Sequence, residues 1–293
     1  MEKILGYLRL MRPANIVTAI ADILAGIAIS GYFGAVDLDY AHIFLLILST
    51  VGLYGGGVVM NDVFDAELDT VERPERPIPS GLISKTGAAI LGISLLFLGV
   101  ILAFRVNNLS GSLALATAIA ALVYDKIGKH HAFFGPLNMG LCRGLNLLIG
   151  VSIIPSALND YWYFAVVPIV YIAAITMISR GEVHGGNKST LYAAVFLYAA
   201  AMIAILSTAI ANDHVITTAT TIGLWALMVF KPLFNAIKKP EGRMIGRSVK
   251  AGVLALILMN GAWAAAFGYV FVAVLIVLLL PLSILLAKAF AVT

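Results

Sequence analysis

Stretches of roughly 20 apolar residues, the length that carries a helix across the hydrocarbon core of a bilayer, recur from one end of this chain to the other. That recurrence limits the fold more than any other feature. A closed barrel would show alternating ten-residue segments instead, so the pattern predicts an all-α, polytopic membrane helical bundle. No polar stretch runs much past twenty residues, so residues 1–293 read as a single transmembrane domain. A mean hydropathy of +1.00 excludes a soluble domain. No cleavable signal peptide is expected, because the first apolar stretch has span length and lacks a small-residue cleavage site. The lone Cys142 excludes an internal disulfide and reads as a small buried packing residue.

The spans follow in order. A short amphipathic lead, Met1 to Met11, carries Leu5, Leu8 and Met11 on a side suited to the membrane surface. Arg12-Pro13 opens span 1, about Pro13 to Phe33, with proline accommodated in a first turn. Spans 2 to 5 run near Tyr40–Val63, Thr86–Phe104, Leu109–Tyr124 and Phe134–Ile154. Spans 6 to 8 run near Trp162–Ile178, Thr190–Ile210 and Val215–Phe234. The last apolar region, Ala251 to Phe290, has room for two spans split near Gly268. The reading is ten helices, with nine as the alternative. Gly52, Gly55, Gly56 and Gly57 let span 2 approach a neighbour closely. Aromatic residues around Tyr161 to Tyr163 suit an interfacial belt.

Charge fixes an orientation. With the N-terminus cytoplasmic, the loops after spans 2, 4, 6 and 8 lie on that side, and almost all of the Lys and Arg residues fall there. The opposite loops hold Arg105 alone. The sequence pI near 9.1 is therefore explained by basic cytoplasmic loops, and no nucleic-acid partner is expected. Membrane lipids are the expected surroundings, and the inner membrane is the expected location if the source is bacterial.

Against this apolar background, four carboxylates fall within eight residues at the end of span 2: Asp62, Asp65, Glu67 and Asp69. Asn61, Asp65 and Asp69 are spaced i, i+4, i+8 and form one ladder on a helix, with Asp62 at its edge. Oxygen-bearing side chains on one face suit a hard divalent cation. Mg2+ favours a few carboxylates completed by substrate phosphate oxygens. Acids that merely balanced Arg73 and Arg76 in water would sit at the wrong end of the helix dipole. The loop that follows, Arg73-Pro74-Glu75-Arg76-Pro77-Ile78-Pro79-Ser80-Gly81, is stiffened by prolines. It would hold the Arg76 guanidinium, a fork of donors that matches phosphate, over the acidic face.

Asn61-Asp62-x-x-Asp65-x-x-x-Asp69 followed by Arg76-Pro77-Ile78-Pro79-Ser80-Gly81 resembles the first signature of the UbiA superfamily of intramembrane prenyltransferases. Arg12-Pro13 before span 1 and the number of spans agree, so the likeness covers most of the chain. The resemblance implies a UbiA-like fold and an Mg2+-dependent transfer of an isoprenoid group. The donor would be an isoprenoid diphosphate, an allylic polyprenyl one, and the acceptor a hydrophobic, often aromatic, molecule. It implies metal binding by Asn61, Asp65 and Asp69 with Asp62 in support, and Asp65, Asp69, Arg76 and Glu182 as catalytic residues. The family's second aspartate-rich motif corresponds to Ser179-Arg180-Gly181-Glu182-Val183-His184-Gly185-Gly186-Asn187-Lys188-Ser189-Thr190. Only Glu182 remains acidic there, a pattern similar to the UbiA-like branch called EboC. Either Glu182 with His184 or Asn187 holds a metal, or Arg180, His184 and Lys188 bind diphosphate directly.

Ionisable groups inside spans are costly and face the bundle interior. Asn15 and Asp22 share a face of span 1. Asn138, Cys142 and Asn146 share a face of span 5 beside Arg143. These residues are expected either on the substrate-cavity wall or, for Asp22 and Arg143, in a buried ion pair. Tyr124 and Lys126 loosely resemble the family's phosphate-side residues, and Asn260 suits a contact between helices. A second function class fits the same fold: a UbiA-like membrane protein, catalytically altered, that binds or transports a lipid or metabolite. A phosphatidyl-transferring enzyme would need an acidic signature that is absent.

Overall fold

The computed structural model describes residues 2–131, 133–182 and 185–290, except for the side chain of His130. Helices are the only regular elements among these residues. Helix α1 is Glu2–Met11, α2 Pro13–Ile29, α3 Tyr40–Phe64, α4 Ala66–Glu72, α5 Lys85–Phe104 and α6 Asn108–Lys126. Helix α7 is Phe134–Val151, α8 Ala157–Tyr161, α9 Val166–Ser179 and α10 Lys188–Ala211. Helices α11, Val215–Lys238, α12, Gly242–Ala266, and α13, Val270–Ala289, complete the chain. Eight described helices are long and apolar enough to cross a membrane, with α8 and α9 counted together, and nine if α1 and α2 form one bent span. Helix α7 stands where span 5 was expected, but Asn138, Arg143 and Asn146 dilute its apolar content and keep it out of that count.

Polar residues set the helix starts. Asp39, Ser84, Asn107 and Asn187 cap α3, α5, α6 and α10 by accepting bonds from backbone N–H groups in the first turn. The expected split near Gly268 is present: its φ of 83° ends α12 and lets α13 turn back. Between α1 and α2 the axis bends by 43°. The bend is at Arg12, whose left-handed φ of 50° and ψ of 67° is unusual for a residue with a side chain.

The core is built around α2, α7 and α12. One apolar cluster joins α7 and α9 to α12, a second joins α2, α3, α5, α6 and α7, and a third joins α2, α12 and α13. A fourth holds Leu10 of α1 against Val59 and Val63 of α3 and Ala88 of α5, with Met11 beside it. The N-terminal lead therefore packs Leu10 and Met11 into the protein, while Leu5 stays exposed. Helices α3 and α5 lie backbone to backbone. A Cβ added at Gly52 would stand 2.6 Å from the Leu95 carbonyl oxygen, and the Ser49 hydroxyl donates to the Gly99 carbonyl at 2.7 Å. Outward-facing positions such as Phe97, Phe196, Leu227 and Phe271 are exposed and apolar, as a lipid-facing surface requires. Trp162 and Tyr163 are exposed near the start of α9, in keeping with an interfacial belt.

Candidate active site

Helix α3 closes at Asp65, with φ −86° and ψ −2°, and α4 starts at the next residue. Backbone bonds from Asp65 N to Asn61 O at 2.9 Å and from Asp69 N to Asp65 O at 2.8 Å carry the i, i+4 register across the join. Asn61, Asp65 and Asp69 thus stay on successive turns, as the spacing predicts. Among the described residues no three His, Cys, Asp or Glu side chains are arranged to hold a metal ion.

Each aspartate instead meets a cation. Asp62, 4% exposed, accepts from Arg12 Nη2 at 2.7 Å and from Arg76 Nη1 at 3.3 Å. Asp69, 2% exposed, accepts from the same Arg76 Nη1 at 2.7 Å. Asp65 pairs with Lys129. Arg76 is buried over the acidic face, where the proline-rich loop was expected to hold it. These cations offset a repulsion among carboxylates that would otherwise oppose folding. Asn61 donates through Nδ2 to Asp125 Oδ1 at 2.8 Å, which joins α3 to α6.

A cavity of about 440 Å³ opens beneath this cluster, between α3, α6 and α7. Asn61, Arg73, Tyr124 and Asp125 line one end, and Leu53, Val58, Ala121 and Met139 supply apolar wall. From Asn61 to Thr50, α3 descends eleven residues, about 16 Å, along the cavity. At the Thr50 end lie Tyr54, Arg143 and Asn146. Cys142 lines the cavity too and is only half-buried, so it is not the enclosed packing residue expected.

The Arg143 guanidinium lies 4.9 Å from the Tyr54 ring centre, donates to Asp22 Oδ2 at 2.7 Å and to Thr18 Oγ1 at 2.7 Å. Asp22 is completely buried and accepts two more bonds, from Asn146 Nδ2 at 3.0 Å and Asn260 Nδ2 at 2.7 Å. The Asp22–Arg143 ion pair is therefore present, and Asn260 ties α12 to it. Asn146 also accepts from Thr50 at 2.7 Å. Arg143 and Asn146 reach the cavity; Asp22 supports them from behind.

The other expected site residues divide. Asn138 is half-buried, its amide turned to donate to Ala120 O and accept from Tyr124 N, each at 3.2 Å, so it braces α7 against α6. Asn15 and Glu182 line a second cavity of about 420 Å³, with Lys250 of α12 opposite. Arg12 borders both cavities. Glu182 is thus not brought to the first cavity. Much of it meets solvent, but protein around its carboxyl raises the pKa, opposed by the charge of Arg73. Arg180 is exposed and donates to the His131 carbonyl at 2.7 Å, closing the loop after α6 onto α9. Asn187 caps α10, accepting from Ser189 N at 3.0 Å, and Lys188 is exposed. His184 lies outside the described residues.

Lys126 is exposed, and Lys129 takes the place expected of it. Helix α6 ends at Lys126, and a 3-10 turn over Gly128–His130 brings the chain back toward Asp65. Asp125, Lys129, Arg12 and Tyr54 are the residues that the sequence pattern passed over as site members. The available signal was Asp125 itself, an acid in an otherwise basic loop.

The comparisons with known proteins agree with this fold. Residues 20–241 match the UbiA prenyltransferase family. A digeranylgeranylglyceryl phosphate synthase from Saccharolobus solfataricus is 32% identical over 174 residues, 59% of this chain. The chain spans 60% of that relative's length. The apo structure of a UbiA homologue from Aeropyrum pernix K1 superposes with a TM-score of 0.70 at 17% identity, over 84% of this chain and 96% of the other. A UbiA homologue from Archaeoglobus fulgidus, bound to DMAPP and Mg2+, superposes with a TM-score of 0.58 at 18% identity, over 92% and 98%. At these identities the structural likenesses speak for the fold. With the motif-bearing helix pair, the capping loop and the match over most of its length, this integral membrane chain belongs to the UbiA prenyltransferase family.

Proposed function

We propose that this protein transfers an isoprenoid group from an allylic polyprenyl diphosphate to a hydrophobic or aromatic acceptor within the membrane, with Mg2+. The carrying observation is the first cavity, with ionic and amide groups at the Asn61 end and apolar wall below. An amphiphile with an anionic head and a hydrocarbon tail matches that gradient. The basic loops support placing the Asn61 end on the cytoplasmic side. The donor set fits a hard cation: Asn61 and Asp65 offer oxygen ligands, with Asp62 and Asp69 held beside them by Arg76. When bound, Mg2+ would neutralise charge growing on the departing diphosphate.

The chain's own residues supply the rest. Arg73 lines the cavity at its Asn61 end, where an anionic headgroup would rest, and Lys129 pairs with Asp65 one turn beyond Asn61. Both are positioned before substrate arrives, which favours charge that develops as the C–O bond to diphosphate breaks. The apolar wall of Leu53, Val58, Ala121 and Met139 keeps water from the allylic cation. The acceptor's nucleophilic atom then bonds to that carbon and releases its proton. The name of these relatives, digeranylgeranylglyceryl phosphate synthase, supports testing a glyceryl phosphate lipid beside phenols as the acceptor.

The test uses purified protein in lipid nanodiscs with Mg2+, labelled geranylgeranyl or farnesyl diphosphate, phenolic acceptors and a geranylgeranylglyceryl phosphate. Prenylated product is expected from the native protein and not from Asp65→Ala. A native protein with neither turnover nor Mg2+-dependent diphosphate binding refutes the proposal. The second reading, lipid or metabolite binding or transport without turnover, draws on one observation: Glu182, the acid left in the second island, lies in a different cavity. Tight diphosphate binding with no product under every acceptor would select it.

A further inference from the structure

We propose that Asp125 of α6 is a direct ligand of the divalent cation, shared with Asn61 of α3, and that it supplies the carboxylate the second polar island lacks. The inference rests on the Mg2+–diphosphate reading above and names a ligand which neither the acidic motif nor the second island contains.

Four observations carry it. Asp125 lines the first cavity and is 4% exposed. Its Oδ1 accepts from Asn61, but its buried Oδ2 has no hydrogen-bond partner among the described residues. A buried carboxylate oxygen left unpaired is costly and calls for a ligand. Asp62, Asp65 and Asp69 each have a cation within ion-pair distance, and among the described residues Asp125 has none. Lys129, which attracts it from further off, is engaged by Asp65. Finally, Asp125 occupies the last turn of α6, where the negative end of the helix dipole disfavours an anion. A divalent cation answers all four at once.

The chemistry of Mg2+ agrees with so few protein ligands, because it keeps waters and takes phosphate oxygens rather than a full protein cage. Asn61 adapts by a half-turn of its amide, which brings Oδ1 toward the side where Nδ2 now meets Asp125. The ligands then come from two helices, α3 and α6, so the cation also clamps the cavity end together. Glu182 is not needed, and its place in the second cavity is explained.

The experiment is Mn2+ binding followed by electron paramagnetic resonance, with Mn2+ alone and with Mn2+ plus inorganic pyrophosphate, on the full chain in nanodiscs. Asp125→Asn is expected to weaken pyrophosphate-supported Mn2+ binding tenfold or more, while Glu182→Gln stays within twofold. A ligand-exchange variant, Asn61→Asp with Asp125→Asn, is expected to recover Mn2+ binding, which a merely structural Asp125 would not allow. Unchanged binding in Asp125→Asn, or a loss confined to Glu182→Gln, overturns the inference while leaving the diphosphate reading intact. If Asp125→Asn fails to fold, the exchange variant decides, and absence of recovered Mn2+ binding overturns it. A native protein that binds no Mn2+ with pyrophosphate sinks both readings.

Discussion

Removal of Asp22 is the sharpest perturbation of the bundle. Its carboxylate is fully buried and accepts from Arg143 at 2.7 Å, Asn146 at 3.0 Å and Asn260 at 2.7 Å. Asp22→Leu leaves the Arg143 guanidinium, itself 6% exposed, without its counter-charge. Breaking one partner of a buried ion pair costs about 3–5 kcal/mol. Arg143 keeps Thr18 and the face of Tyr54, which places the expected loss at the lower end, about 3 kcal/mol. Asp22→Leu combined with Arg143→Met removes both charges. Asn146 loses one of its two acceptors but still donates to the Ala19 carbonyl at 3.0 Å, so Asn260 is the amide that gives up its whole bond. The double variant is then expected to lose only about 1 kcal/mol, the scale of one hydrogen bond between membrane helices. The assay is reversible unfolding in bicelles, with native, single and double variants run side by side. Equal losses in Asp22→Leu and the double variant would refute the argument that an unpaired charge is what destabilises. So would a loss below about 1 kcal/mol in Asp22→Leu itself.

Two further outcomes follow from the backbone. Arg12→Ala and Arg12→Gly both remove the bond to Asp62, but only glycine is free of the left-handed strain at φ 50°. Arg12→Gly is expected to be more stable than Arg12→Ala by about 1 kcal/mol, read as a higher melting temperature; equal stabilities would contradict the observed backbone. Gly52→Ala forces a methyl group against the Leu95 carbonyl and the Gly99 Cα, at 2.6 and 3.1 Å, and is expected to cost about 1–3 kcal/mol. Gly57→Ala, whose nearest neighbour is Ala121 Cβ at 3.4 Å, serves as the tolerated control, and a matching loss there would count against close α3–α5 packing as the cause.

The sequence was most legible where one local rule decided the outcome. Hydrophobic run length placed the long helices, and Gly268 marked the break between α12 and α13. The Asp22–Arg143 pair was foreseeable, because two opposite charges buried in different spans have few other solutions. The motif's register survived too, through the backbone bonds on either side of Asp65. What stayed hidden depended on how separate segments meet. Periodicity cannot tell that α6 stops at Lys126 and that the next turn presents Lys129 to Asp65. It cannot give Arg12 its left-handed backbone, from which the side chain reaches Asp62. Asp125 was masked by the basic residues around it, and its importance shows only from its burial against Asn61. Asn187 read as a possible ligand because caps and ligands draw on the same side chains.

The buried network at Asp22 also sets an order of events during synthesis. Arg143 lies 121 residues beyond Asp22, and Asn260 lies 238 residues beyond it. At roughly 5–20 residues per second, Asp22 enters the membrane on the order of ten seconds before its cation exists, and waits still longer for Asn260. A bare carboxylate cannot rest in hydrocarbon for that interval. Helix α2 therefore has to be sheltered by the insertion machinery until α7 arrives. The lock that fastens the bundle is closed by α12, so the contact between α2 and α7 stays adjustable until that helix is in place.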